Sequence, residues 1–339
     1  MSYLFTRLIN QLRCWGSYAL SIAGVSYVRH MPTFVSVEPA NFCQLSCPEC
    51  PVGMNGTVSI QNAANIESIL DNTRTHIGVM TIGDYRKIVR QIAPYAHTIQ
   101  LFWQGEPLLN DQLPEMVSIA HEVGLYTIIS TNAQRLDLDL ARALNHAGLN
   151  RIIVSMDGWT QSTYEKYRRG GSVDKVKQAV RWLRQAKQES HSRLLIELQC
   201  LYLKTNETEW DIFRREYKTL GADKLTMKTA QLYDYKHGSP LMPSNQRFSR
   251  YKWGKRTQTF VPKRPMRNRC YRLWSGCVID VHGNLLPCCY DKLQQHSFGN
   301  LLQPGITLQD LWHNKRAEIF RRAVITNRSA MAICTNCDE

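Results

Sequence analysis

Three closely spaced cysteines are the residues of this 339-residue chain whose type and spacing point most directly to chemistry. Cys43, Cys47 and Cys50 form a C-x3-C-x2-C pattern directly after an apolar run that is typical of a strand. Three thiolates on one loop can bind three irons of a cubane cluster and leave the fourth iron open, whereas four-cysteine sites are closed. A structural zinc site with a distant fourth ligand is the alternative. The three-residue spacing and the preceding strand favour the cluster.

A second group of cysteines lies near the end of the printed chain. Nine of the eleven cysteines fall in or beside the two groups, while Cys14 and Cys200 stand alone. Cysteines that cluster in this way indicate metal ligands in a reducing compartment rather than disulfides. The second group consists of Cys270, Cys277, Cys288, Cys289, Cys334 and Cys337.

The elements that must position these cysteines are indicated by short apolar runs that alternate with amphipathic segments. Such alternation predicts a parallel sheet with helices on its faces, which right-handed crossovers curl toward a full or partial barrel. The active site of a barrel of this kind forms at the C-terminal ends of its strands. The predicted strands are 34–38, 98–103, 125–130, 151–155, 194–201 and 224–228, and the predicted helices are 84–93, 112–122, 138–145, 173–188 and 207–220.

Three short motifs end the second, third and fourth predicted strands. They are Gln104-Gly105-Glu106, Ser130-Thr131-Asn132 and Ser155-Met156-Asp157-Gly158. Together with the first cysteine loop, and in this order, they resemble the radical S-adenosylmethionine (radical SAM) superfamily over about residues 34–230. The chain departs from the family pattern at Gln104, where the family has glycine.

The resemblance implies roles for five residues at these strand ends. The backbone at Gly105 and the carboxylate of Glu106 are expected to hold the methionine ammonium of S-adenosylmethionine, since a carboxylate forms charge-assisted hydrogen bonds with an ammonium. Ser130 and Asn132 belong to the segment expected to contact the ribose, and Ser155 is expected near the cofactor's carboxylate.

The resemblance also implies a reaction. Members of the family cleave S-adenosylmethionine reductively, and the resulting 5′-deoxyadenosyl radical removes a hydrogen atom from the substrate. We therefore expect an oxidoreductase-type enzyme that takes electrons from a donor such as flavodoxin or ferredoxin. A peptide or protein side chain that is oxidised by two electrons or cross-linked is the expected substrate. Oxidation of a sugar or aminocyclitol-type small molecule is an alternative, and so is a non-catalytic electron-transfer protein. Base candidates are Asp157, Asp234 and Asp291.

The C-terminal cysteines resemble the auxiliary-cluster modules called SPASM and twitch domains. A hairpin over 278–286, with Gly283 in its turn, is predicted between them. The cysteines are too few for the two clusters of a full SPASM domain, so one further [4Fe–4S] cluster is expected. Cys277 is a spare or alternative ligand, and Cys289 is expected to point away because neighbouring strand residues face opposite sides. A zinc site made from the same thiolates is the alternative. The implied ligands are Cys270, Cys288, Cys334 and Cys337.

The first 37 residues contain no acidic residue, and the formal net charge of the chain is +14. A basic balance predicts affinity for anions, without indicating a specific nucleic acid. The apolar residues of this segment recur at roughly helical spacing, but the longest uncharged run, 14–28, is too short to span a bilayer. A signal peptide is not indicated either. A helix that packs on the domain and an interfacial helix on an anionic membrane are the two readings, in a cytoplasmic protein or one peripheral to the membrane.

Together these patterns predict an α/β fold, a partial (β/α)6 TIM-like barrel with a small C-terminal α+β auxiliary-cluster domain. The expected cofactors are two [4Fe–4S] clusters and S-adenosylmethionine. The expected units are a basic helical segment (1–33), the radical SAM core (34–232), a linker (233–265) and the auxiliary-cluster domain (266–339).

Overall fold

The computed structural model of the protein describes residues 3–54 and 77–337. The strands are β1 (Phe34–Val37), β2 (Thr98–Gln100), β3 (Tyr126–Thr131), β4 (Arg151–Ser155), β5 (Leu195–Tyr202), β6 (Lys224–Thr229), β7 (Tyr251–Gly254), β8 (Thr259–Pro262), β9 (Gly276–Ile279), β10 (Asn284–Leu286) and β11 (Gly299–Asn300). The helices are α1 (Leu4–Ile22), α2 (Pro51–Met54), α3 (Ile82–Ile92), α4 (Leu113–Glu122), α5 (Leu138–His146), α6 (Gln161–Tyr164), α7 (Val173–Glu189), α8 (Trp210–Leu220), α9 (Tyr271–Ser275), α10 (Leu308–Trp312) and α11 (Lys315–Asn327).

The strands β1 to β6 lie side by side in chain order, and each pairs in parallel with the next. This arrangement confirms the partial barrel. Residues such as Val35, Val37 and Ile99 are fully buried in the core between sheet and helices. Their neighbours along each strand therefore face the other side of the sheet, the barrel interior. The second strand ends three residues earlier than predicted, because the chain beyond Leu101 turns toward the first cysteine loop.

Side-chain caps explain why the helices on the outer face begin where they do. The hydroxyl of Thr81 accepts a hydrogen bond from the backbone of Asp84 at the start of α3, and Ser172 does the same for α7. The carboxylate of Asp137 caps α5. Such caps satisfy backbone N–H groups that have no partner within the helix.

The C-terminal module continues the barrel sheet. Strand β9 pairs in parallel with β1, and β10 and β11 follow it antiparallel, so nine strands form one sheet in the order β11-β10-β9-β1-β2-β3-β4-β5-β6. The predicted hairpin is present. The amphipathic pattern over about 308–324 predicts one helix near the end of the module. The structure has two, α10 and α11, because Asn314 caps a new helix by accepting a hydrogen bond from Ala317 N at 2.9 Å.

The segment expected to be a linker contains secondary structure of its own. Strands β7 and β8 form a two-stranded antiparallel sheet. Tyr251 of β7 stacks on Tyr235, with ring centroids 4.5 Å apart. Its hydroxyl donates to the side-chain oxygen of Asn336 at 2.8 Å. This segment therefore joins the end of the barrel to the C-x2-C pair.

The first helix packs on the barrel through its polar face. The guanidinium of Arg7 donates to the carbonyls of Ala93, Val123 and Gly124, at 2.6–2.9 Å. These carbonyls lie just beyond the C-terminal ends of α3 and α4, where helices leave carbonyl groups without helical partners. Asn10 exchanges hydrogen bonds with the backbone of Met31. The orientation of α1 is therefore set by polar contacts.

Candidate active site

The first three cysteines lie on the loop between β1 and α2. Cys47 is buried, and Cys43 and Cys50 are half-buried. Burial and then the charge of Glu106 raise the pKa of the Cys43 thiol to about 12, and the charges of Cys47 and Cys50 also raise it. The three thiols are thus close enough to interact electrostatically. The raised pKa keeps the bare Cys43 thiol protonated, and a bound metal is what would deprotonate it.

The Gln104-Gly105-Glu106 loop packs directly on the cysteine loop. A Cβ atom at Gly105 would lie 2.1 Å from the carbonyl oxygen of Ala40, so only glycine fits this contact. The backbone N–H of Glu106 donates to the carbonyl of Phe42 at 2.8 Å. The structure therefore brings the two loops together, and the atoms in contact between them belong to the backbone rather than to side chains.

The carboxylate of Glu106 is bound within the protein. Oε1 accepts hydrogen bonds from the Thr131 hydroxyl at 2.5 Å and from Leu108 N at 3.1 Å, and Oε2 accepts from Asn132 N at 2.8 Å. The side chain is 3% exposed. Both oxygens accept from protein donors, and the contact of this carboxylate with an ammonium of the cofactor stays a prediction. Its contacts tie the end of β2 to the end of β3.

The residues expected near the cofactor's ribose and carboxylate lie on neighbouring strand ends. Asn132 donates from Nδ2 to the Cys43 sulfur at 3.4 Å and accepts from the amide of Gln44 at 3.0 Å. Ser130 and Ser155 lie on the strand face opposite to the core residues, toward the barrel interior. Asn132 therefore contacts the first cysteine loop from the end of β3.

An arginine with 17% of its side chain exposed lies beside the first thiols and was missed by the sequence analysis. Arg168 pairs with Asp157 at 2.6 Å, and its charge and a hydrogen bond lower the pKa of Cys47 against the larger raising effect of burial. Asp157 also accepts from Leu201 N at 2.6 Å. This base candidate therefore has both oxygens occupied and positions the arginine. The local sequence does not indicate a role for Arg168, because only the folding of α6 and of the turn after it brings this side chain to the site.

The second set of thiols surrounds a buried arginine. Burial raises the pKa of Cys270 to about 11, and the charges of Cys337 and Cys334 also raise it. Burial and the charges of Cys289, Cys270 and Cys334 raise the pKa of Cys288. The four predicted ligands are thus brought together.

Arg328 is the arginine at this second site. Its Nη2 donates to the Cys337 sulfur at 3.2 Å, and its Nη1 donates to the carbonyl of Arg269 at 2.9 Å. The side chain is 1% exposed. A cation beside thiolates stabilises their negative charge, as Arg168 does at the first site.

The two remaining cysteines of the second group take different positions. Cys289 lies with Cys288 in a turn after β10, not on the strand, so the alternation argument for it does not apply. Its sulfur accepts a hydrogen bond from Arg272 at 3.6 Å. Cys277 is buried within β9, where the charge that acts on its thiol is that of Arg321. The contacts therefore separate Cys277 from the four predicted ligands.

In the parts of the chain that the structure describes, no three Cys, His, Asp or Glu side chains converge closely enough to hold one metal ion.

Comparison with known families agrees with this geometry. Residues 37–199 match the model of the radical SAM superfamily, and residues 270–338 match the SPASM model of an iron–sulfur cluster-binding domain. The chain contains a radical SAM domain and a SPASM domain. Its cofactors are S-adenosylmethionine and [4Fe–4S] clusters. The glycine contact between the two loops and the paired thiol sets fit these groups.

Individual relatives are distant. The chain is 34% identical over 83 residues to an Fe-coproporphyrin III synthase of Methanosarcina barkeri, which covers 24% of the chain and 21% of that protein. It is 24% identical over 304 residues to a PqqA peptide cyclase of Gluconobacter oxydans, with 83% and 76% covered. The chain spans between about a fifth and about half of the first curated relatives that it matches.

A solved structure supports the fold. Streptococcus suis SuiB bound to S-adenosylmethionine superposes with a TM-score of 0.63 at 12% identity, over 95% of this chain and 75% of that one. The same protein bound to its precursor peptide SuiA gives a TM-score of 0.62. At this identity the likeness shows the shared fold.

The radical SAM and SPASM domains are joined at the Gln104 loop. The side-chain amide of Gln104 donates to the carbonyl of Lys292 at 3.0 Å, and the indole N–H of Trp103 donates to the carbonyl of Cys289 at 3.1 Å. The ammonium of Lys292 lies 5.4 Å from the centre of the Trp103 ring. Gln104, which stands where the family has glycine, therefore forms a direct hydrogen bond between the radical SAM motif and the SPASM domain.

Glu38 is a further residue that the sequence analysis missed. It lies at the end of β1 on the interior side and is 1% exposed. Its Oε1 accepts from the backbone of Gln104 and Gly105, and its Oε2 has no hydrogen-bond partner among the described residues. Burial raises its pKa to about 8, and the charge of Asp280 also raises it while that of Lys292 lowers it.

The other base candidates have different surroundings. Asp291 is buried, and its two oxygens accept from the backbone of Gln295 and His296 at 3.0 Å, so it holds a turn of the SPASM domain. Asp234 is exposed. Of the carboxylates considered, Glu38 combines burial with an unpaired oxygen.

A cleft of about 390 Å³ lies next to both cysteine sets. Its wall at Tyr233 is tied to the first set, since the backbone N–H of Tyr233 donates to Glu49 beside Cys50. Leu293 at the cleft is 72% exposed, so the cleft is accessible from solvent. The residues that line the cleft include tyrosines, lysines and residues that flank the second set of cysteines. They are Gln231, Tyr233, Tyr235, Lys236, Tyr290, Lys292, Leu293, Gln295, Ala332, Ile333, Thr335 and Asn336.

Proposed function

We propose that this protein is a radical SAM oxidoreductase that oxidises or cross-links a side chain of a peptide. Similarity to a PqqA peptide cyclase over most of the chain supports this substrate class. The observation in this chain that carries the proposal is the solvent-accessible, tyrosine-lined cleft next to both cysteine sets. Small-molecule sites usually bury most of the ligand's surface. A peptide can instead present one side chain to such a cleft while the rest of its backbone extends outward.

We assign one cluster to each set of thiols. The first three cysteines leave a coordination position for S-adenosylmethionine, whereas four cysteines close the second cluster. When bound, these groups supply a radical that removes a hydrogen atom from the substrate and an acceptor for one electron. The protein orients the substrate and excludes water. The assigned ligands are Cys43, Cys47 and Cys50 for the first cluster and Cys270, Cys288, Cys334 and Cys337 for the second.

Removal of two electrons from a substrate also releases a proton, and we assign its acceptance to Oε2 of Glu38. This oxygen is buried and unpaired among the described residues. A pKa of about 8 lies close to neutrality, which suits proton transfer in both directions. The N–H groups of Gln104 and Gly105 hold Oε1, so the other oxygen keeps a fixed direction.

The function is tested by incubating anaerobically reconstituted protein with S-adenosylmethionine, dithionite and candidate peptides. A substrate peptide should accelerate release of 5′-deoxyadenosine over the slow release without substrate, and its mass should fall by two hydrogens. The variant Leu293→Glu, at the cleft, should lose the acceleration, while Trp253→Ser, an exposed residue of β7, should keep it. Acceleration by sugars and by no peptide would assign the small-molecule reaction instead.

The cluster and proton assignments are tested separately. The Cys43→Ala, Cys47→Ala, Cys50→Ala triple variant should lose about four irons, as one [4Fe–4S] cluster requires, and keep the second cluster. Glu38→Gln should still transfer deuterium from a labelled substrate to 5′-deoxyadenosine but form product about 100-fold more slowly, the usual loss on removing a general base. Unchanged product formation in Glu38→Gln would remove that residue from the mechanism.

A further inference from the structure

The outward face of α1 is apolar along the whole helix. Phe5, Leu8, Leu12, Trp15 and Ile22 are each between 54% and 74% exposed. Their spacing of three, four, three and seven residues places them in one stripe of an α-helix. At 1.5 Å per residue, the 19-residue helix presents this stripe over about 28 Å. We refer to these five residues as the α1 stripe.

The contacts on the opposite side show that this orientation is built into the fold. The inward residues of α1 are Arg7, Asn10, Cys14, Ser17 and Ser21. Rotating the helix to bury the α1 stripe would remove the hydrogen bonds that Arg7 and Asn10 make to backbone groups of the barrel, and would leave those buried groups unsatisfied. Each unsatisfied group is costly. The stripe therefore stays outward in the folded chain.

Charge around the α1 stripe favours an anionic partner. Residues 1–37 contain no Asp or Glu, and both Arg13 and Arg29 are exposed. A second copy of the same segment would bring like charges together without an acid to pair them. An anionic lipid surface instead offers both an apolar layer for the stripe and phosphates for the arginines.

The geometry points to a helix that lies along a bilayer. Among the described residues, no helix is long and apolar enough to cross a membrane. Trp15 and Tyr27 are both about half exposed, and such aromatic side chains favour the boundary between lipid headgroups and acyl chains. We propose that the α1 stripe and its flanking arginines bind the surface of an anionic lipid membrane, with the barrel held beside it.

The test uses the full reconstituted protein and sedimentation with vesicles. One set contains phosphatidylcholine and phosphatidylglycerol in equal parts, and the other contains phosphatidylcholine alone. The protein should sediment with the anionic vesicles, and the bound fraction should fall as salt rises because exposed charges are screened. The Phe5→Ser, Leu8→Ser, Leu12→Ser variant should bind at least tenfold more weakly. Because these side chains are exposed, its melting temperature should match that of the unchanged protein.

Matched variants separate this proposal from its alternatives. Trp253→Ser with Ile319→Ser also removes two exposed apolar side chains, on other elements, and should bind as the unchanged protein does. Arg13→Glu with Arg29→Glu should weaken binding to anionic vesicles alone and gives a second test if the serine variant fails to fold. Absence of sedimentation of the unchanged protein would overturn the proposal. A dimer in analytical ultracentrifugation that the serine variant abolishes, without vesicle binding, would assign the stripe to self-association.

Discussion

Replacing Glu106 by glutamine separates two roles for its carboxylate: holding the loop and binding S-adenosylmethionine directly. In the structure its two oxygens accept three hydrogen bonds, from Leu108, Thr131 and Asn132. In Glu106→Gln one oxygen becomes an NH2 group, which faces a donor and cannot accept. At least one charged hydrogen bond is therefore lost, and such bonds contribute about 1.5–3 kcal/mol.

We expect this loss to appear as lower stability before any cofactor is added. An unfolding entropy of about 2.1 cal/mol/K per residue gives roughly 0.7 kcal/mol per degree for a chain of this length, so the melting temperature should fall by on the order of 2–4 °C. The measurement is anaerobic thermal unfolding of the reconstituted protein, together with equilibrium dialysis of S-adenosylmethionine. Glu115→Gln makes the same chemical change at an exposed ion pair with Arg86 and should leave the melting temperature unchanged.

Both roles predict weaker binding of S-adenosylmethionine, and the melting temperature distinguishes them. If the carboxylate positions the loop, stability falls and cofactor affinity falls with it. An unchanged melting temperature with at least tenfold weaker binding of S-adenosylmethionine would refute the positioning role. It would show that the side chain turns outward to bind the cofactor.

Three further changes probe other contacts. Arg328→Gln should make the midpoint potential of the second cluster more negative by on the order of 60 mV. This is the shift that a tenfold change in the relative stability of the two redox states gives for one electron. An anaerobic redox titration measures the potential, and Arg322→Gln, at an exposed position, is the control. His30 is buried, and burial lowers its pKa from 6.5 to about 4. Between these pH values the unfolded chain therefore binds more protons than the folded one. The free energy of unfolding should fall by on the order of 3 kcal/mol as the pH drops from 6.5 to 4. In His30→Gln this part of the pH dependence of thermal unfolding should disappear. Gln104→Leu removes the bond to the SPASM domain, worth about 0.5–1.5 kcal/mol, and should weaken dialysis-measured binding of S-adenosylmethionine roughly two- to tenfold; unchanged affinity would mean that the two domains do not communicate through this side chain.

The sequence predicted the barrel well because short apolar runs alternate along the chain with amphipathic segments, a pattern typical of a parallel sheet covered by helices. All six barrel strands are present, and the motifs at their ends meet around the first cysteine loop. The direction of the Glu106 carboxylate could not be predicted, because it depends on the Thr131 hydroxyl and on the backbone N–H groups of Leu108 and Asn132. Arg168 and Arg328 carry no sequence signal, since an isolated arginine has the same pattern in a surface turn as beside a buried thiol.

The orientation of the first helix could not be predicted from the sequence. Its apolar residues at helical spacing predicted an apolar face, but periodicity cannot say which face meets the protein. The answer depends on the free carbonyl groups near Ala93 and Gly124, which only the three-dimensional arrangement of α3 and α4 provides.

The pairing of β9 with β1 has a consequence for synthesis on the ribosome. About 240 residues separate the end of β1 at Val37 from the start of β9 at Gly276. At about 5–20 residues per second, β1 waits roughly 12–48 s for its second neighbour. During this interval one edge of an apolar strand has no partner, and such edges template aggregation. A nascent chain that is released early, or cut before β9, would expose that edge permanently, and the quality-control machinery of the cell would meet it as a misfolded protein.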